Sequence, residues 1–214
     1  PARAALRSLP KHAAFSGAAW AARATPARPV SAVVPVVAAG CDGADAATLL
    51  PTTTASGSTA ARLAAAAAAE ATTVAFGKSG VHGWGLHSVT HIPADALVCE
   101  YRGALVRHGA LAAAREAAYR AAGADCYLFS MDATHVVDGT AAGSVARFTN
   151  HACAPCLYTR VVPGPGGRPA IAFFARVDIP PGTELTYDYR FAEEEGDAKV
   201  ACACGAAACR GSLN

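Results

Sequence analysis

Two cysteine-bearing patches, far apart in the chain, carry side chains that bind metals and cofactors. The first, RFTNHACAPC at residues 147–156, places an Asn-His pair ahead of two cysteines. The second, CACGAAAC at residues 202–209, spaces three cysteines as C-x-C-x4-C: Cys202, Cys204 and Cys209. Three thiolates this close together can ligate one zinc ion, because each zinc–sulfur bond is about 2.3 Å long. The spacing therefore predicts a zinc site that lacks its fourth ligand.

The fourth ligand of a tetrahedral zinc site must come from elsewhere in the chain. Cys99 and Cys126 lie in apolar runs typical of strands, which leaves Cys153 and Cys156 as candidates. Eight cysteines could also form disulfides in a secreted protein. The tight C-terminal spacing and the lack of a leucine-rich signal peptide favour metal and a reducing compartment. We expect zinc binding to be coupled to folding of the alanine-rich tail, which has no core of its own.

Two further patches could join such a site: HGWG at residues 82–85 and ELTYDY at residues 184–189. Each pattern has an ordinary structural explanation when taken singly. Glycines form turns, an Asn-His pair is often a structural pair, and tyrosines in a strand usually pack in the core. Only their combination points to a site.

The N-terminal part, residues 1–72, differs in composition from the rest. It is dominated by Ala, Pro, Thr and Ser and contains no tyrosine. With few large apolar groups to offset the entropy of ordering, we predict that it is mostly disordered, with an isolated helix around Arg62–Ala71. Its five basic residues before the first acid, Asp42, also fit a transit peptide. Because the chain begins at Pro1 rather than Met, we expect it to be the tail of a longer protein.

The remainder predicts a mainly β, α+β domain of about 140 residues, because many short strand patterns accompany one helical pattern. LVCEYRGALV predicts strand with a turn at Gly103, CYLFSMD and HVVDG predict two short strands, and PGPGGRP joins LYTRVV to AIAFFARV as a hairpin. ELTYDYRF predicts a last strand. The helix is LAAAREAAYRAA at residues 111–122, and its spacing predicts an apolar face: Leu111, Ala114, Ala118 and Ala121 or Ala122.

Charge and hydropathy bear on nucleic-acid binding and on membrane insertion. The net charge of +2 provides no general basic field for binding nucleic acid. The alanine tract Ala64–Ala69, even with Leu63 before it, is far shorter than the roughly 20 residues that cross a bilayer.

Taken together and in this order, HGWG, RFTNHAC, ELTYDY and C-x-C-x4-C resemble the SET-domain protein lysine methyltransferases with a zinc-binding post-SET tail. The likeness runs from about residue 74 to residue 214. FGKSGVHGWGL, EYRG, DCYLF, VVDGT, ARFTNH and CRGSLN are most similar to the trithorax/COMPASS-type histone H3 lysine 4 methyltransferases, with the plant-type trithorax-like branch nearest. The resemblance implies a SET fold of short strands with a pseudoknot-like C-terminal crossing over residues 73–191, followed by a post-SET zinc segment over residues 192–214.

The resemblance also implies two cofactors, S-adenosylmethionine as methyl donor and one structural zinc ion. The residues that match the family's cofactor site are His82, Gly83, Trp84, Gly85, Tyr127, Arg147, Asn150 and His151. The matching zinc ligands are Cys153, Cys202, Cys204 and Cys209. Cys156 stands where the family has asparagine, so the resemblance implies that it is a thiol near the zinc and not a ligand. The alternative is that Cys156 replaces Cys153 as the fourth zinc ligand.

Three tyrosines match the family's catalytic positions: Tyr189, Tyr187 and Tyr127. The implied reaction is an in-line displacement by a neutral lysine amine, so the reference pKa of about 10.4 must be lowered. A narrow aromatic channel and the cofactor's sulfonium both lower it. Tyr189 orients the amine, and Tyr187 occupies the Tyr/Phe switch position that limits space around it. Two residues apart in a strand, both face the same side.

The implied partners are the histone H3 N-terminal tail and COMPASS-like core subunits, in the nucleus, with no sequence-specific DNA binding by this domain and no membrane. Alanines at 112–114 replace polar residues on the helix that binds partners in this subgroup. One alternative is a SET methyltransferase for another histone or non-histone lysine. Another is a catalytically silent scaffold, and a third is a nucleic-acid-binding zinc finger. The retained tyrosines and Asn-His pair disfavour the scaffold, and the lack of histidine at finger spacing disfavours the finger.

Overall fold

The computed structural model describes residues 57–190 and 200–213. Of the segment predicted to be disordered, residues 1–56 lie outside the described residues. The acidic stretch Glu193–Asp197 also lies outside them. In the described part, neither α-helix combines the length and the apolar character needed to cross a bilayer.

The described chain is mainly β, as the sequence predicts. Two α-helices form, α1 at Thr59–Thr73 and α2 at Ala110–Ala121. The strands are β1 Val74–Lys78, β2 Trp84–Ser88, β3 Leu97–Tyr101, β4 Ala104–Arg107, β5 Leu128–Ser130, β6 His135–Asp138, β7 Asn150–His151, β8 Leu157–Pro163, β9 Pro169–Ala175 and β10 Glu184–Tyr187. Two short 3-10 helices cover Val145–Phe148 and Pro165–Gly167.

The strands form two sheets. The larger has the order β1-β2-β10-β8-β9-β3, with the two-residue β7 pairing alongside β10. The smaller has the order β4-β6-β5. Strands β8 and β9 pair antiparallel over their full length, from Leu157 opposite Ala175 to Pro163 opposite Pro169, which confirms the predicted hairpin. The two strands predicted at CYLFSMD and HVVDG are confirmed as β5 and β6.

The β8–β9 hairpin separates two layers of packing, because successive strand residues point to opposite faces. Leu157 and Phe173 are fully buried in the main core. Tyr158 and Phe174 face the other way, where they join a small second cluster with Leu63 of α1. The large sheet is therefore covered on one face by the rest of the domain and partly on the other by α1.

Helix α1 is not isolated, which corrects the expectation for this segment. Leu63 is only 1% exposed, and the Glu70 carboxylate accepts two hydrogen bonds of 3.0 Å from Arg102 Nη2. The Ser58 side chain caps its first turn by accepting from the Ala61 N–H at 3.3 Å. An alanine-rich helix has little stability of its own, so docking of one leucine and one ion pair accounts for its order. The predicted boundary between the N-terminal part and the domain, at residues 72–73, therefore falls in the last turn of α1.

Helix α2 forms where predicted, but the predicted apolar face is wrong. Leu111 is 52% exposed, and the alanines predicted to share its face are exposed as well. The buried positions are Ala112 and Glu116. Polar anchoring decides the orientation, because Arg115 Nη1 and the Tyr119 hydroxyl donate to Asp138 Oδ2 at 2.9 and 2.8 Å.

Candidate active site

A parallel crossing brings the predicted patches together. Strand β7 pairs with β10 so that Asn150 lies opposite Thr186 and His151 opposite Tyr187. The same strand β10 pairs antiparallel with β2, which carries the end of the HGWG patch. The Asn-His pair, the tyrosines and the glycine-rich turn therefore share one region, through a C-terminal crossing of the kind that the resemblance implies.

The Asn150 side chain fastens the glycine-rich turn. Its Nδ2 lies 3.1 Å from the His82 carbonyl oxygen, 2.9 Å from that of Trp84 and 2.9 Å from Ser79 Oγ. Asn150 is 9% exposed, so these acceptors satisfy a nearly buried amide. The turn's main chain is thus positioned by a residue almost 70 positions away.

Glu184 also holds the turn, and sequence reasoning missed it. Its carboxylate accepts from Ser79 Oγ at 2.5 Å, from the Gly80 N–H at 3.0 Å and from Asn150 Nδ2 at 3.0 Å. A Cβ at Gly85 would lie 2.5 Å from Glu184 Oε1, so this approach requires glycine. The signal for Glu184 was its place at the start of ELTYDY, but nothing local to the sequence indicates its partners.

The remaining residues of the turn lie toward the surface. His82 and Gly83 are exposed, and Gly83 adopts a φ of +53°, a left-handed conformation that favours glycine. The half-buried Trp84 ring lies under Lys78 Nζ, which is 4.6 Å from the ring centroid. The turn therefore lies at the surface beside one cation and one aromatic ring.

Tyr187 is the centre of an aromatic cluster. Its ring stacks on Phe129 with centroids 5.5 Å apart, and it meets Phe173 edge-on at 5.0 Å. Tyr189 lies beside it at 4.8 Å. The prediction that Tyr189 lies in the last strand is wrong, because strand β10 ends at Tyr187. The two rings nevertheless meet.

Burial keeps the tyrosine hydroxyls protonated. Desolvation raises the pKa of Tyr187 and of Tyr189 above its ordinary value of 10. It raises the pKa of Tyr127 and of Tyr101 in the same way. The Tyr189 hydroxyl donates to the Thr149 carbonyl at 3.2 Å. At neutral pH these groups therefore act as hydrogen-bonding phenols rather than as phenolate bases.

Tyr127 is fixed by the loop after β6. Its N–H donates to Thr140 Oγ1 at 2.9 Å, and its carbonyl accepts from the Gly139 N–H and the Tyr101 hydroxyl, both at 2.8 Å. Its ring meets Phe148 edge-on, with centroids 5.9 Å apart.

Arg147 is buried beneath this loop. Its Nη1 donates to the Gly139 carbonyl at 2.9 Å, and its guanidinium lies 4.9 Å from the Phe148 ring centroid. Desolvation lowers the pKa of Arg147 to about 10, which still leaves it charged at neutral pH. Its contacts within the described part support the loop that carries Tyr127.

Four thiols form a second cluster next to the aromatic one. The sulfur atoms of Cys153, Cys202, Cys204 and Cys209 all lie within 4.8 Å of one another. Cys153 Sγ is 3.7 Å from Cys202 Sγ and 3.8 Å from Cys209 Sγ. A tetrahedron with zinc–sulfur bonds of about 2.3 Å has edges of about 3.8 Å, so this donor set fits zinc.

Backbone N–H groups point at sulfur atoms of this cluster. The Arg210 N–H lies 3.3 Å from Cys153 Sγ, and the Gly211 N–H lies 3.4 Å from Cys209 Sγ. Desolvation raises the pKa of the Cys202 thiol to about 12, and the pKa of Cys209 is raised as well. Desolvation also opposes ionisation of Cys204, but backbone N–H groups and the neighbouring thiols lower the pKa of its thiol to about 7, so the cluster ionises first at Cys204. Thiolate is the form that zinc binds.

Cys156 lies apart from these four thiols. It is 1% exposed and accepts from the Thr186 N–H at 3.4 Å, on the core side of the sheet. The structure thus groups Cys153, and not Cys156, with the three C-terminal cysteines.

His151 connects the thiol cluster to the tyrosines. Its Nδ1 accepts from the Tyr189 N–H at 3.2 Å, and its Nε2 lies 3.5 Å from Cys153 Sγ. The Asp188 carboxylate lies on the same side of the ring, with Oδ1 3.6 Å from His151 Nδ1. His151 is 2% exposed, so its ring lies inside the domain between the thiol cluster and Tyr189.

Comparisons with known proteins agree with this geometry. The SET domain family profile matches residues 83–190. The H3 lysine-4-specific histone-lysine N-methyltransferase of Yarrowia lipolytica is 41% identical over 142 residues, which are 66% of this chain and 12% of that protein. Histone-lysine N-methyltransferase 2B of Homo sapiens is 43% identical over 137 residues, which are 64% of this chain and 5% of that protein. The chain thus spans a small part of these relatives.

Among solved structures, the crystal structure of KRYPTONITE in complex with mCHG DNA and SAH is similar, with a TM-score of 0.51. The two chains are 34% identical where they align. The aligned part is 64% of this chain and 28% of the KRYPTONITE chain.

Proposed function

The chain belongs to the SET-domain family, and from this premise we propose that it transfers a methyl group from S-adenosylmethionine to the side-chain amine of lysine 4 of histone H3. The relatives named above are histone-lysine N-methyltransferases, one of them H3 lysine-4 specific. Because this chain spans only a small part of each, its substrate rests on the likeness of the domain.

One observation carries the proposal, the parallel pairing of β7 with β10. This pairing places Asn150, which fastens the glycine-rich turn, next to the strand that ends in Tyr187. A methyl transfer needs donor and acceptor aligned, and alignment alone can lower a barrier by about 7–11 kcal/mol. The crossing supports such alignment because both binding regions share a strand.

The cofactor residues fit a nucleoside-bearing sulfonium. When bound, S-adenosylmethionine supplies an activated methyl group. The residues proposed to hold it are His82, Gly83, Trp84, Gly85, Tyr127, Arg147, Asn150 and His151, with the aromatic ring of Trp84 beside the turn. Arg147 acts indirectly in this proposal, since its guanidinium contacts the loop behind Tyr127. KRYPTONITE was crystallised with SAH, the product that remains after methyl transfer.

The aromatic cluster favours a neutral lysine. Tyr187, Phe129 and Tyr189 surround the end of β10 with rings and offer no carboxylate of their own. An ammonium that enters such surroundings loses hydration, which lowers its pKa from about 10.4. The protonated Tyr189 hydroxyl orients the amine, and the Tyr187 hydroxyl limits the space beside it. Tyr127 closes the cluster from the β5 side. The domain alone then favours monomethylation.

The zinc site serves the same region as a structural element. Cys153, Cys202, Cys204 and Cys209 are the proposed ligands of one ion. Zinc bound there holds the C-terminal tail against the end of β10, because Cys153 lies two residues after His151. Folding of this tail and zinc binding are coupled in this proposal.

The partners follow from the same likeness. We assign the histone H3 N-terminal tail as substrate, COMPASS-like core subunits as binding partners and the nucleus as the compartment. The exposed Leu111 on α2 and Leu105 on β4 are apolar positions open to such subunits. We also propose three parts of the chain: an N-terminal segment at residues 1–72, the SET domain at residues 73–191 and the post-SET zinc segment at residues 192–214.

The decisive experiment measures transfer of a radiolabelled methyl group onto a histone H3 tail peptide. A matched peptide with alanine as its fourth residue is the control. We expect label on the first peptide and a loss of at least about tenfold on the second. Equal labelling of both would show a different target lysine, and absence of labelling in the zinc-loaded, partner-supplemented protein would contradict the enzymatic proposal.

A further inference from the structure

The outer face of the β8–β9 hairpin carries a compact cationic surface. Tyr158 and Phe174 stack there with ring centroids 5.5 Å apart and planes inclined by 19°. The guanidinium carbons of Arg160 and Arg176 lie 5.3 and 5.8 Å from the Tyr158 centroid, and that of Arg62 lies 5.9 Å from Phe174. We call Arg62, Arg160 and Arg176 on these two rings the arginine patch.

Arg160 and Arg176 are exposed and Arg62 is half-buried, and their charges are not neutralised within the described part of the chain. Within residues 57–190 and 200–213, none of the three lies within ion-pair distance of a carboxylate, although Arg102, Arg115, Arg120 and Arg210 all form ion pairs. The carboxylate contacting the aromatic pair is Asp95, which accepts from the Tyr158 hydroxyl at 3.1 Å. The patch therefore keeps an excess of positive charge and its guanidinium N–H donors available.

Stacking also prepares these side chains for binding. A guanidinium that rests on an aromatic face has fewer rotamers to lose when it forms hydrogen bonds. A guanidinium carries its N–H groups in a fork that matches two oxygens of a phosphate. Three such groups on a rigid hairpin and its docked helix favour a repeating anion over a single small ion.

We propose that the arginine patch binds the phosphate backbone of duplex DNA without reading its sequence. The choice of DNA rests on the proposed function, because histone substrates are wrapped by about 147 base pairs of DNA. Phosphate contacts position a protein on DNA and carry no sequence information themselves. The patch lies on the face of the sheet opposite the tyrosine cluster, so it acts as a separate contact that holds the domain on the nucleosome.

Binding of DNA by the arginine patch is tested by fluorescence anisotropy with a labelled duplex of about 30 base pairs. The affinity of the full chain is measured at a series of salt concentrations. Each phosphate contact contributes about 0.9 to the slope of log affinity against log salt. We expect Arg160→Gln/Arg176→Gln to reduce that slope by nearly 2 and to weaken binding about tenfold at low salt. Arg107→Gln, on the exposed strand β4 of the other sheet, is a single-charge control to compare with Arg160→Gln.

The outcomes separate this proposal from the enzymatic one. The double variant should methylate a short H3 peptide as the parent does, since the patch lies away from the tyrosines. If peptide methylation fails in both proteins but the salt slope still drops, only the enzymatic proposal is lost. If Arg160→Gln weakens DNA binding no more than Arg107→Gln does, the arginine patch is not a DNA contact. Tighter, arginine-dependent binding of single-stranded RNA would also overturn the assignment to duplex DNA.

A second variant guards against misfolding. Arg160→Lys/Arg176→Lys keeps both charges but loses the guanidinium forks. We expect it to retain the parental salt slope and to bind DNA several-fold more weakly. Parental affinity in this variant would contradict recognition by stacked guanidinium groups.

Discussion

Asp188 and Arg210 form a forked ion pair that joins the end of β10 to the cysteine-bearing tail. Arg210 Nη2 lies 2.8 Å from Asp188 Oδ1, and Nη1 lies 3.0 Å from Oδ2. Asp188 stands between the two tyrosines of the site, and Arg210 directly follows Cys209. The tail and the aromatic cluster are therefore linked by a charge pair as well as by the thiols.

Replacing Asp188 with asparagine should loosen the tail. Asp188→Asn removes one charge of a half-exposed, two-pronged pair, which contributes about 1 kcal/mol or less. We expect zinc to be released several-fold faster to a chelator, with little change in melting temperature. Arg210→Lys, which keeps the charge but not the fork, should fall between this variant and the parent. Unchanged zinc release in Asp188→Asn would show that the thiols alone hold the tail.

Tyr187→Phe should shift the products toward higher methylation. Removing the hydroxyl enlarges the space beside the amine without disturbing the stacked ring. Mass spectrometry of a methylated H3 peptide measures the change. Tyr158→Phe, which removes a hydroxyl on the opposite face of the sheet, is the matched control and should leave the products unchanged. An identical product distribution in Tyr187→Phe and the parent would remove Tyr187 from this role.

Tyr189→Phe should lower kcat by at least about tenfold, because an orienting hydrogen bond at the reacting amine is lost. Cofactor affinity, measured by calorimetry, should change less than about twofold. This split distinguishes loss of orientation from a structural defect, which would affect both quantities. Full turnover in this variant would exclude Tyr189 as the catalytic tyrosine.

The two cysteines of the Asn-His patch should differ in their effect on metal content. Cys153→Ser should lower bound zinc well below one ion per chain, because one of four thiolates is lost. Cys156→Ser should retain the zinc and mainly reduce stability, since it places a hydroxyl at a buried core position. Elemental analysis of both purified proteins decides the matter, and the reverse result would exchange the two assignments.

Asp138 should make stability depend on acid pH. Its side chain is 1% exposed, and although desolvation raises its pKa, the Thr140 N–H, Arg115 and Tyr119 together lower it below the usual value. A lowered folded-state pKa stabilises the protein above the unfolded value of about 3.9, and this contribution is lost as the pH falls through the folded value. Asp138→Asn should cost about 2 kcal/mol at pH 7 and progressively less below pH 4, measured by urea unfolding. A constant difference between the two proteins across this range would contradict the expected linkage.

Local patterns in the sequence were enough to predict the mainly β class, the β8–β9 hairpin and the three-cysteine motif. Turn residues and alternating apolar positions act over a few residues, so they can be recognised without knowledge of the rest of the chain. The resemblance added the order of the motifs and, through it, the SET fold.

Only the tertiary structure decided which distant groups meet. It oriented α2 by Asp138 rather than by Leu111, docked α1 onto the sheet, and set Glu184 against the glycine-rich turn. It also directed Cys156 into the core, away from the thiol cluster. Each outcome depends on the register of strands far apart in sequence, because a shift of one residue turns every side chain to the opposite face. No short-range pattern contains that register.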